Sequence, residues 1–263
     1  ESRERVRSAI VNCGEVWPNR KVTVSLSPAW LPKSGSSFDL AICISVLSAH
    51  ESIAKEKIEE LLFLGELSLD GRIRSVRGVL PALMAAYKAG VRTAVVPAAN
   101  FEEAQLMQAM NIIPMEHLKQ VLRWLRTGER EVVQEFDLQW EQTDTRLDFA
   151  DVAGQSAARL AAEIAAIGGH HILLIGPPGA GKTMIAERIP TIMPALTIDQ
   201  ALEVTAVHSI AGTLMQRSPL SLLAPMVSPH HTTTRIAMVG GGSHAIKPGA
   251  CSLAHYGVLF VDE

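Results

Sequence analysis

Cysteine is scarce in this chain, and long apolar runs are missing from it. The three cysteines (Cys13, Cys43 and Cys251) lie far apart among 263 residues and show neither the spacing of a disulfide scaffold nor a C-x-x-C pair. The most apolar stretch, from Leu40 to Ala49, is ten residues long, well short of the ~20 residues that cross a bilayer. We therefore expect a protein of the reducing cytoplasm with no membrane partner.

Charge is also in short supply. Charged residues make up 19% of the chain against 48% hydrophobic residues, which is too little charge for a disordered chain and enough apolar material for packed cores. A net charge of −3 gives no overall attraction to nucleic acids, so any DNA contact needs a local patch or another part of a longer protein. The length favours two domains.

The first half of the chain alternates between helical and strand patterns. Period-2 or continuous apolar runs predict strands, 3.6-residue periodicity predicts helices, and Asp70-Gly71 predicts a hairpin turn between residues 61–69 and 73–76. The predicted helices cover residues 2–13, 38–49, 80–89, 98–110 and 118–125, and the remaining strands cover residues 22–26, 91–96 and 112–113. We predict an α/β domain over residues 1–127, a polar linker over 128–147 and a second domain over 148–263.

A phosphate-binding loop is the strongest motif of the second domain. The loop reads Gly176, Pro177, Pro178, Gly179, Ala180, Gly181, Lys182, Thr183, and it matches G-x-x-x-x-G-K-[ST] in full. It follows an apolar run at 172–175, predicted as a strand, and opens a predicted helix. Backbone N–H groups at the glycines would surround phosphate oxygens, Lys182 would bridge the β- and γ-phosphates, and the Thr183 hydroxyl would complete the shell of Mg²⁺. The motif predicts ATP and Mg²⁺ as ligands.

A second motif, which is acidic, supports the prediction of ATP and Mg²⁺ as ligands. Residues 257–261 form an apolar strand pattern that ends in Asp262 and Glu263, as in a Walker B strand. Asp262 would hold Mg²⁺ through water, and Glu263 would orient the attacking water as general base. Many strands end in acidic turns, so the motif carries weight because the phosphate loop precedes it.

The histidine pair at Pro229-His230-His231 has two interpretations. One is a metal site, but zinc-ligand spacing is missing around it, and adjacent side chains of a strand point to opposite faces. The other, which we favour, is a positioned loop beside the flexible Gly240-Gly241-Gly242.

Six motifs together resemble the magnesium-chelatase-like branch of the AAA+ ATPases. They are Asp151-Val152-Ala153-Gly154-Gln155, the phosphate loop, Ser228-Pro229-His230-His231-Thr232, Val239-Gly240-Gly241-Gly242, Ser252-Leu253-Ala254-His255 and Leu259-Phe260-Val261-Asp262-Glu263. The N-terminal segments Glu1-Ser2-Arg3-Glu4-Arg5-Val6-Arg7, Trp17-Pro18-Asn19-Arg20 and Leu31-Pro32-Lys33-Ser34-Gly35 resemble the YifB/ComM family within that branch. The resemblance implies a Lon-protease-like domain before a P-loop AAA+ core with a parallel sheet. It also implies a homo-hexamer that processes DNA like a branch-migration helicase, with Val152 and Ala153 beside the adenine.

The sequence departs from the family pattern at the Lon-type catalytic pair, at both ends, and at Ala224-Pro225-Met226-Val227, where the family usually has a stretch with arginine and aromatic residues. Ser37 matches the Lon nucleophile, but the position of its lysine partner is Leu80, which cannot accept a proton, so we expect no proteolysis. No sensor strand, arginine finger or helical lid follows Glu263, and the first strands of the Lon-like domain are missing before Glu1. We therefore expect a fragment that binds ATP better than it hydrolyses it.

Two other functions stay open at this point. One is the ATPase subunit of magnesium chelatase, although residues 1–127 argue against it because that subunit needs no Lon-like domain. The other is a nucleotide-binding scaffold without catalysis. Measuring turnover together with nucleotide affinity would distinguish the scaffold from a DNA motor, and failure to copurify with chelatase partners would weaken the chelatase function.

Overall fold

The computed structural model describes residues 2–27, 35–129, 147–214, 220–242 and 246–262. The chain divides into two compact units, Glu1–Asp137 and Leu138–Glu263, which we call the N-terminal and the C-terminal unit. Most of the predicted linker lies outside the described residues, so its boundaries stay a prediction. No helix of these ranges is both long enough and apolar enough to cross a membrane.

The N-terminal unit alternates helices and strands, as predicted. Its elements are α1 (Ser2–Asn12), α2 (Asp39–Ala49), β1 (Leu61–Phe63), β2 (Glu66–Leu67), β3 (Ile73–Arg74), α3 (Val79–Lys88), β4 (Thr93–Pro97), α4 (Phe101–Ala104), β5 (Asn111–Met115) and α5 (Leu118–Thr127). Strands β1, β4 and β5 form a parallel sheet in that order, and β2 pairs with β3 in the antiparallel hairpin predicted around Asp70-Gly71.

The larger of the two cores of this unit lies between the sheet and helices α1, α2 and α5, and the second includes residues of α3, α4 and β4. Ile10 of α1 and Leu40, Ile44 and Leu47 of α2 are fully or almost fully buried. Leu40, Ile44 and Leu47 follow the i, i+4, i+7 spacing of one helix face. The buried helix predicted at residues 38–49 is therefore confirmed.

Two elements predicted for this unit are wrong. Residues 22–26 form no strand and pair with no described strand, and the Val24 and Leu26 side chains are 47% and 42% exposed. They pass instead along α2, where they border a cavity of about 450 Å³. Of the predicted helix at 98–110 only α4 forms, preceded by a 3₁₀ turn. In that turn the Asn100 side-chain amide donates to the Val76 carbonyl oxygen and accepts the Val76 N–H, both at 3.0 Å.

The cysteines give a prediction for the N-terminal unit. Burial raises the pKa of Cys43 well above its usual range and also raises the pKa of Cys13, whereas Cys251 is exposed. A thiol-specific reagent should therefore label Cys251 fast and Cys43 only on unfolding. Because the unfolded thiols ionise near pH ~8.5 while the folded ones stay neutral, stability should be fully present below that pH and fall as pH rises above it.

Urea unfolding at pH 7 and pH 9.5, with mass-spectrometric mapping of the labelled thiols, tests both statements. Cys251→Ser should remove the fast labelling phase and leave the pH dependence unchanged. Fast labelling of Cys43 in the folded protein would contradict the burial described here.

The C-terminal unit contains α6 (Ser156–Gly168), α7 (Lys182–Arg188), α8 (Ile198–Ala211), β6 (Met226–Val227), α9 (Arg235–Val239), α10 (Ala250–Leu253) and β7 (Val258–Leu259), with short 3₁₀ helices at Phe149–Asp151 and Ile189–Ile192. Strands β6 and β7 are parallel neighbours. The α/β class and the parallel sheets are thus confirmed in both units.

The segment before the phosphate loop differs from its prediction. Residues 172–175 have no assigned secondary structure; Ile172 and Leu174 pack against the core, while Leu173 and Ile175 are 81% and 88% exposed. That alternation is typical of a strand. No described strand pairs with these residues, however.

Candidate functional site

The phosphate loop folds back on itself before it opens α7. The Ala180 N–H donates to the Pro177 carbonyl oxygen at 3.2 Å, which closes a turn. Gly179 and Gly181 both have φ of +80°, a conformation that side-chain-bearing residues rarely adopt. Gly181 is the N-cap of α7. Two left-handed positions thus shape this segment: Gly179 within the loop, and Gly181, the second glycine of the motif, at the start of the helix.

Lys182 and Thr183 lie in the first turn of α7. The Lys182 ammonium donates to the carbonyl oxygens of Gly176 and Pro177 at 3.0 and 3.2 Å, so the cation is held against the loop. Thr183 is exposed. The first N–H groups of a helix have no acceptor within it. Together with the ammonium they form a group of donors suited to phosphate oxygens.

Asp262 and Lys182 border the same cavity. It has a volume of about 650 Å³ and lies between residues 171–176 on one side and 257–262 on the other. Of the phosphate loop only Gly176 and Lys182 line it, so it adjoins the loop rather than coinciding with its anion cradle. Strand β7 positions Asp262, which is exposed. Glu263, predicted as the general base, lies outside the described residues.

The predicted base contacts Val152 and Ala153 have different surroundings. The Val152 side chain is fully buried in the core of this unit, and its carbonyl oxygen accepts a hydrogen bond from Arg159 at 3.0 Å. Ala153 is exposed. In this arrangement the Ala153 side chain and the backbone of the turn are accessible to an adenine, and the Val152 side chain is not. The contact of Val152 and Ala153 with the base stays a prediction.

The contacts that hold this turn have no signal in the local sequence. The Gln155 amide donates to the Ala180 carbonyl oxygen of the phosphate loop at 2.9 Å. The Phe149 N–H donates to the Thr191 hydroxyl at 3.2 Å, and Arg188 lies 3.5 Å from the carboxylate of Asp151. These pairs are 25 to 42 residues apart in the chain, so no local sequence pattern predicts them.

The histidine pair forms a local turn. The His230 Nδ1 accepts a hydrogen bond from the Thr232 N–H at 3.3 Å and lies 2.8 Å from the Thr232 hydroxyl. The rings of His230 and His231 are 4.1 Å apart. In the part of the chain that the structure describes, no three His, Cys, Asp or Glu side chains are grouped closely enough to hold a metal ion.

Backbone hydrogen bonds and burial characterise Ser37 and Leu80, the two positions that the resemblance assigns to a Lon-type catalytic pair. Ser37 is half-buried, and its carbonyl oxygen accepts the Gly65 N–H at 3.1 Å. Leu80 is fully buried near the start of α3, and its N–H donates to the buried Glu103 carboxylate at 2.8 Å. An apolar side chain therefore occupies the position where that chemistry requires an amine.

Comparison with known proteins gives matches along most of the chain. A family model described as magnesium chelatase, subunit ChlI, matches residues 148–263, and one described as subunit ChlI of Mg-chelatase matches residues 1–100. An uncharacterized protein of Mycobacterium tuberculosis is 49% identical over 263 residues, which is 100% of this chain and 52% of the relative. YifB of Escherichia coli is 40% identical over 100% of this chain and 51% of its own length.

Two further likenesses complete the comparison. Competence protein ComM of Haemophilus influenzae is 38% identical over 100% of this chain and 52% of its own length, so the chain spans about half the length of the curated relatives it matches. Lon protease 1 of Myxococcus xanthus is 28% identical over 114 residues, 41% of this chain and 14% of that protein. The chain therefore belongs to the YifB/ComM family of magnesium-chelatase-like AAA+ proteins, in which a Lon-protease-like domain precedes the P-loop core.

Proposed function

We propose that this chain binds ATP together with Mg²⁺ at the phosphate loop. The observation that carries the proposal is the loop itself: two left-handed glycines, a lysine whose ammonium rests on the loop, and exposed Thr183 in the first helical turn. The Thr183 hydroxyl would complete the shell of Mg²⁺, and Asp262 would hold the ion through water. The family supports nucleotide and metal dependence without identifying either ligand on this chain.

We further propose that the longer protein couples ATP hydrolysis to the remodelling of DNA. The support is the identity to competence protein ComM along the whole chain. Glu263 would act as general base for the attacking water, and neighbouring copies in a homo-hexamer would supply a cation for the transition state, a contribution on the order of 10³–10⁵ in rate in related phosphoryl-transfer sites. Such work on DNA would take place in the cytoplasm.

A second candidate is the ATPase subunit of a magnesium chelatase, which both family descriptions favour. The partial identity to Lon proteases and the whole-chain identity to ComM favour the first function. The chain as it stands could also bind nucleotide without turnover, and then the phosphate loop would serve as a scaffold.

The test measures ATP hydrolysis by the full protein with Mg²⁺, alone and with a four-way DNA junction. We expect turnover that rises severalfold with the junction and less with linear duplex. The matched control is Lys182→Ala, which should abolish turnover under all conditions. Turnover that no DNA changes would contradict the DNA role, and stimulation by chelatase partner subunits and porphyrin would favour the second candidate. Tight binding of ATP without turnover would support the scaffold.

A further inference from the structure

Gln155 has a backbone conformation that glutamine rarely adopts. Its φ and ψ are 49° and 45°, in the left-handed region, and Gly154 before it is also left-handed, with φ of +71°. Non-glycine residues persist there only where their surroundings hold them, and such positions cluster at functional sites. The surroundings of Gln155 therefore decide whether its conformation has a function.

Two hydrogen bonds connect Gln155 to separate elements. Its carbonyl oxygen accepts the Arg159 N–H at 2.9 Å, the first bond of α6. Its side-chain amide Nε2 donates to the Ala180 carbonyl oxygen at 2.9 Å. A Cβ atom at Gly181 would lie only 3.0 Å from the same Nε2. The Gln155 side chain is thus in direct contact with the peptide that joins Ala180 to Gly181.

The same segment also holds the other end of α7. Phe149 bonds Thr191 through its N–H, and the Thr191 hydroxyl donates to the Arg188 carbonyl oxygen at 2.7 Å. Residues 149–155 therefore contact the chain just before α7, through Gln155, and just after it, through Phe149. With Val152 buried in the core between these two points, the segment is a fixed support from which Gln155 reaches the loop.

The bond to Ala180 has a consequence for the neighbouring donor. In a planar trans peptide the C=O and N–H groups point in opposite directions. When the Gln155 amide holds the Ala180 carbonyl oxygen, it also turns the Gly181 N–H away from Gln155. A carbonyl oxygen turned toward a phosphate would repel it, whereas an N–H group attracts it. The orientation of this one peptide therefore changes the sign of its interaction with an anion.

We propose that Gln155 is a positioning residue of the nucleotide site: it orients the Ala180–Gly181 peptide so that the Gly181 N–H faces the bound phosphates. The proposal rests on the proposed binding of ATP at this loop. In this proposal Gln155 acts on the binding of the phosphates and not of the base, whereas Val152 and Ala153 are the predicted contacts of the base.

The test compares Gln155→Glu and Gln155→Gly in the full protein. The carboxylate of Gln155→Glu has the shape of the amide but cannot donate to the Ala180 carbonyl oxygen. Gln155→Gly removes the amide and relaxes the left-handed backbone. Both should weaken binding of a non-hydrolysable ATP analogue by about three- to tenfold, the order expected for the loss of one exposed hydrogen bond. Gln155→Gly should do so without a lower unfolding midpoint, because it relieves strain.

Inorganic tripolyphosphate is the second probe, because it has the phosphates and lacks the base. We expect its affinity to fall by the same factor as that of the ATP analogue. Gln108→Glu, the same change at an exposed residue of the N-terminal unit, should leave both affinities unchanged. Unaltered tripolyphosphate affinity in the Gln155 variants, or a loss seen only where the unfolding midpoint also falls, would overturn the proposal.

The unaltered protein separates this proposal from the one it rests on. If it binds the ATP analogue and Lys182→Ala does not, the site is established and the Gln155 variants decide the positioning role alone. If the unaltered protein binds neither probe, ATP binding at this loop is wrong, and the role of Gln155 is wrong with it.

Discussion

Lys182→Ala is expected to remove measurable binding of an ATP analogue. The ammonium is the one side-chain cation that the structure holds against the phosphate loop among the described residues, through the carbonyl oxygens of Gly176 and Pro177. Bonds from a charged donor to phosphate oxygens contribute about 1.5–3 kcal/mol each, and Lys182 would form two of them. Their loss corresponds to a weakening on the order of 100-fold or more.

Titration calorimetry with Mg²⁺ and the analogue measures this effect. Lys247→Ala is the matched control, because it removes the same charge from an exposed position of the same unit. Circular dichroism of both variants should match the unaltered protein, since Lys182 is only partly buried. Retained affinity in Lys182→Ala would mean that the nucleotide binds elsewhere.

Arg5→Met should destabilise the N-terminal unit by about 3 kcal/mol, the lower end of the cost of leaving a buried charge without its partner. The Asp39 carboxylate is only 1% exposed, and Arg5 Nε donates to its Oδ2 atom at 2.8 Å, with Nη2 3.4 Å from Oδ1. This ion pair joins α1 to α2. Methionine keeps the length of the side chain but not its charge, so the carboxylate would stay buried in an apolar environment.

Urea unfolding followed by tryptophan fluorescence reports this effect, because residues 148–263 contain no tryptophan and Trp17 and Trp124 pack against the N-terminal core. Arg7→Met is the control, since Arg7 is exposed on the same helix. Adding Asp39→Asn to Arg5→Met should recover part of the loss. An unfolding free energy that Arg5→Met leaves unchanged would show that the pair contributes no stability.

Predictions from local sequence patterns are confirmed where the pattern alone specifies the element. Helix α2 and the hairpin at Asp70-Gly71 are such cases, because apolar spacing and turn preference act within a few residues. The strands expected at 22–26 and 172–175 have the right alternation of side chains, yet no described strand pairs with either. A strand needs a partner, and periodicity says nothing about which other segment lies beside it.

The phosphate loop could be recognised from eight consecutive residues, because its glycines and Lys182 act within one turn and the start of one helix. Asp262 is predicted as a site residue from its place after an apolar strand, and in the structure it borders the same cavity as Lys182. The support around the loop could not be predicted in the same way. The bonds from Gln155 to Ala180 and from Phe149 to Thr191 join residues 25 and 42 positions apart.

By itself, the sequence determined the α/β class, the motif that would hold phosphate and the family resemblance, because each of these depends on residue types at short, fixed spacings. Only the tertiary structure decided that Val152 is a core residue, that Leu80 is fully buried, and that Gln155 reaches the phosphate loop. Burial and long-range hydrogen bonds depend on which segments pack together, and packing is a property of the whole folded unit.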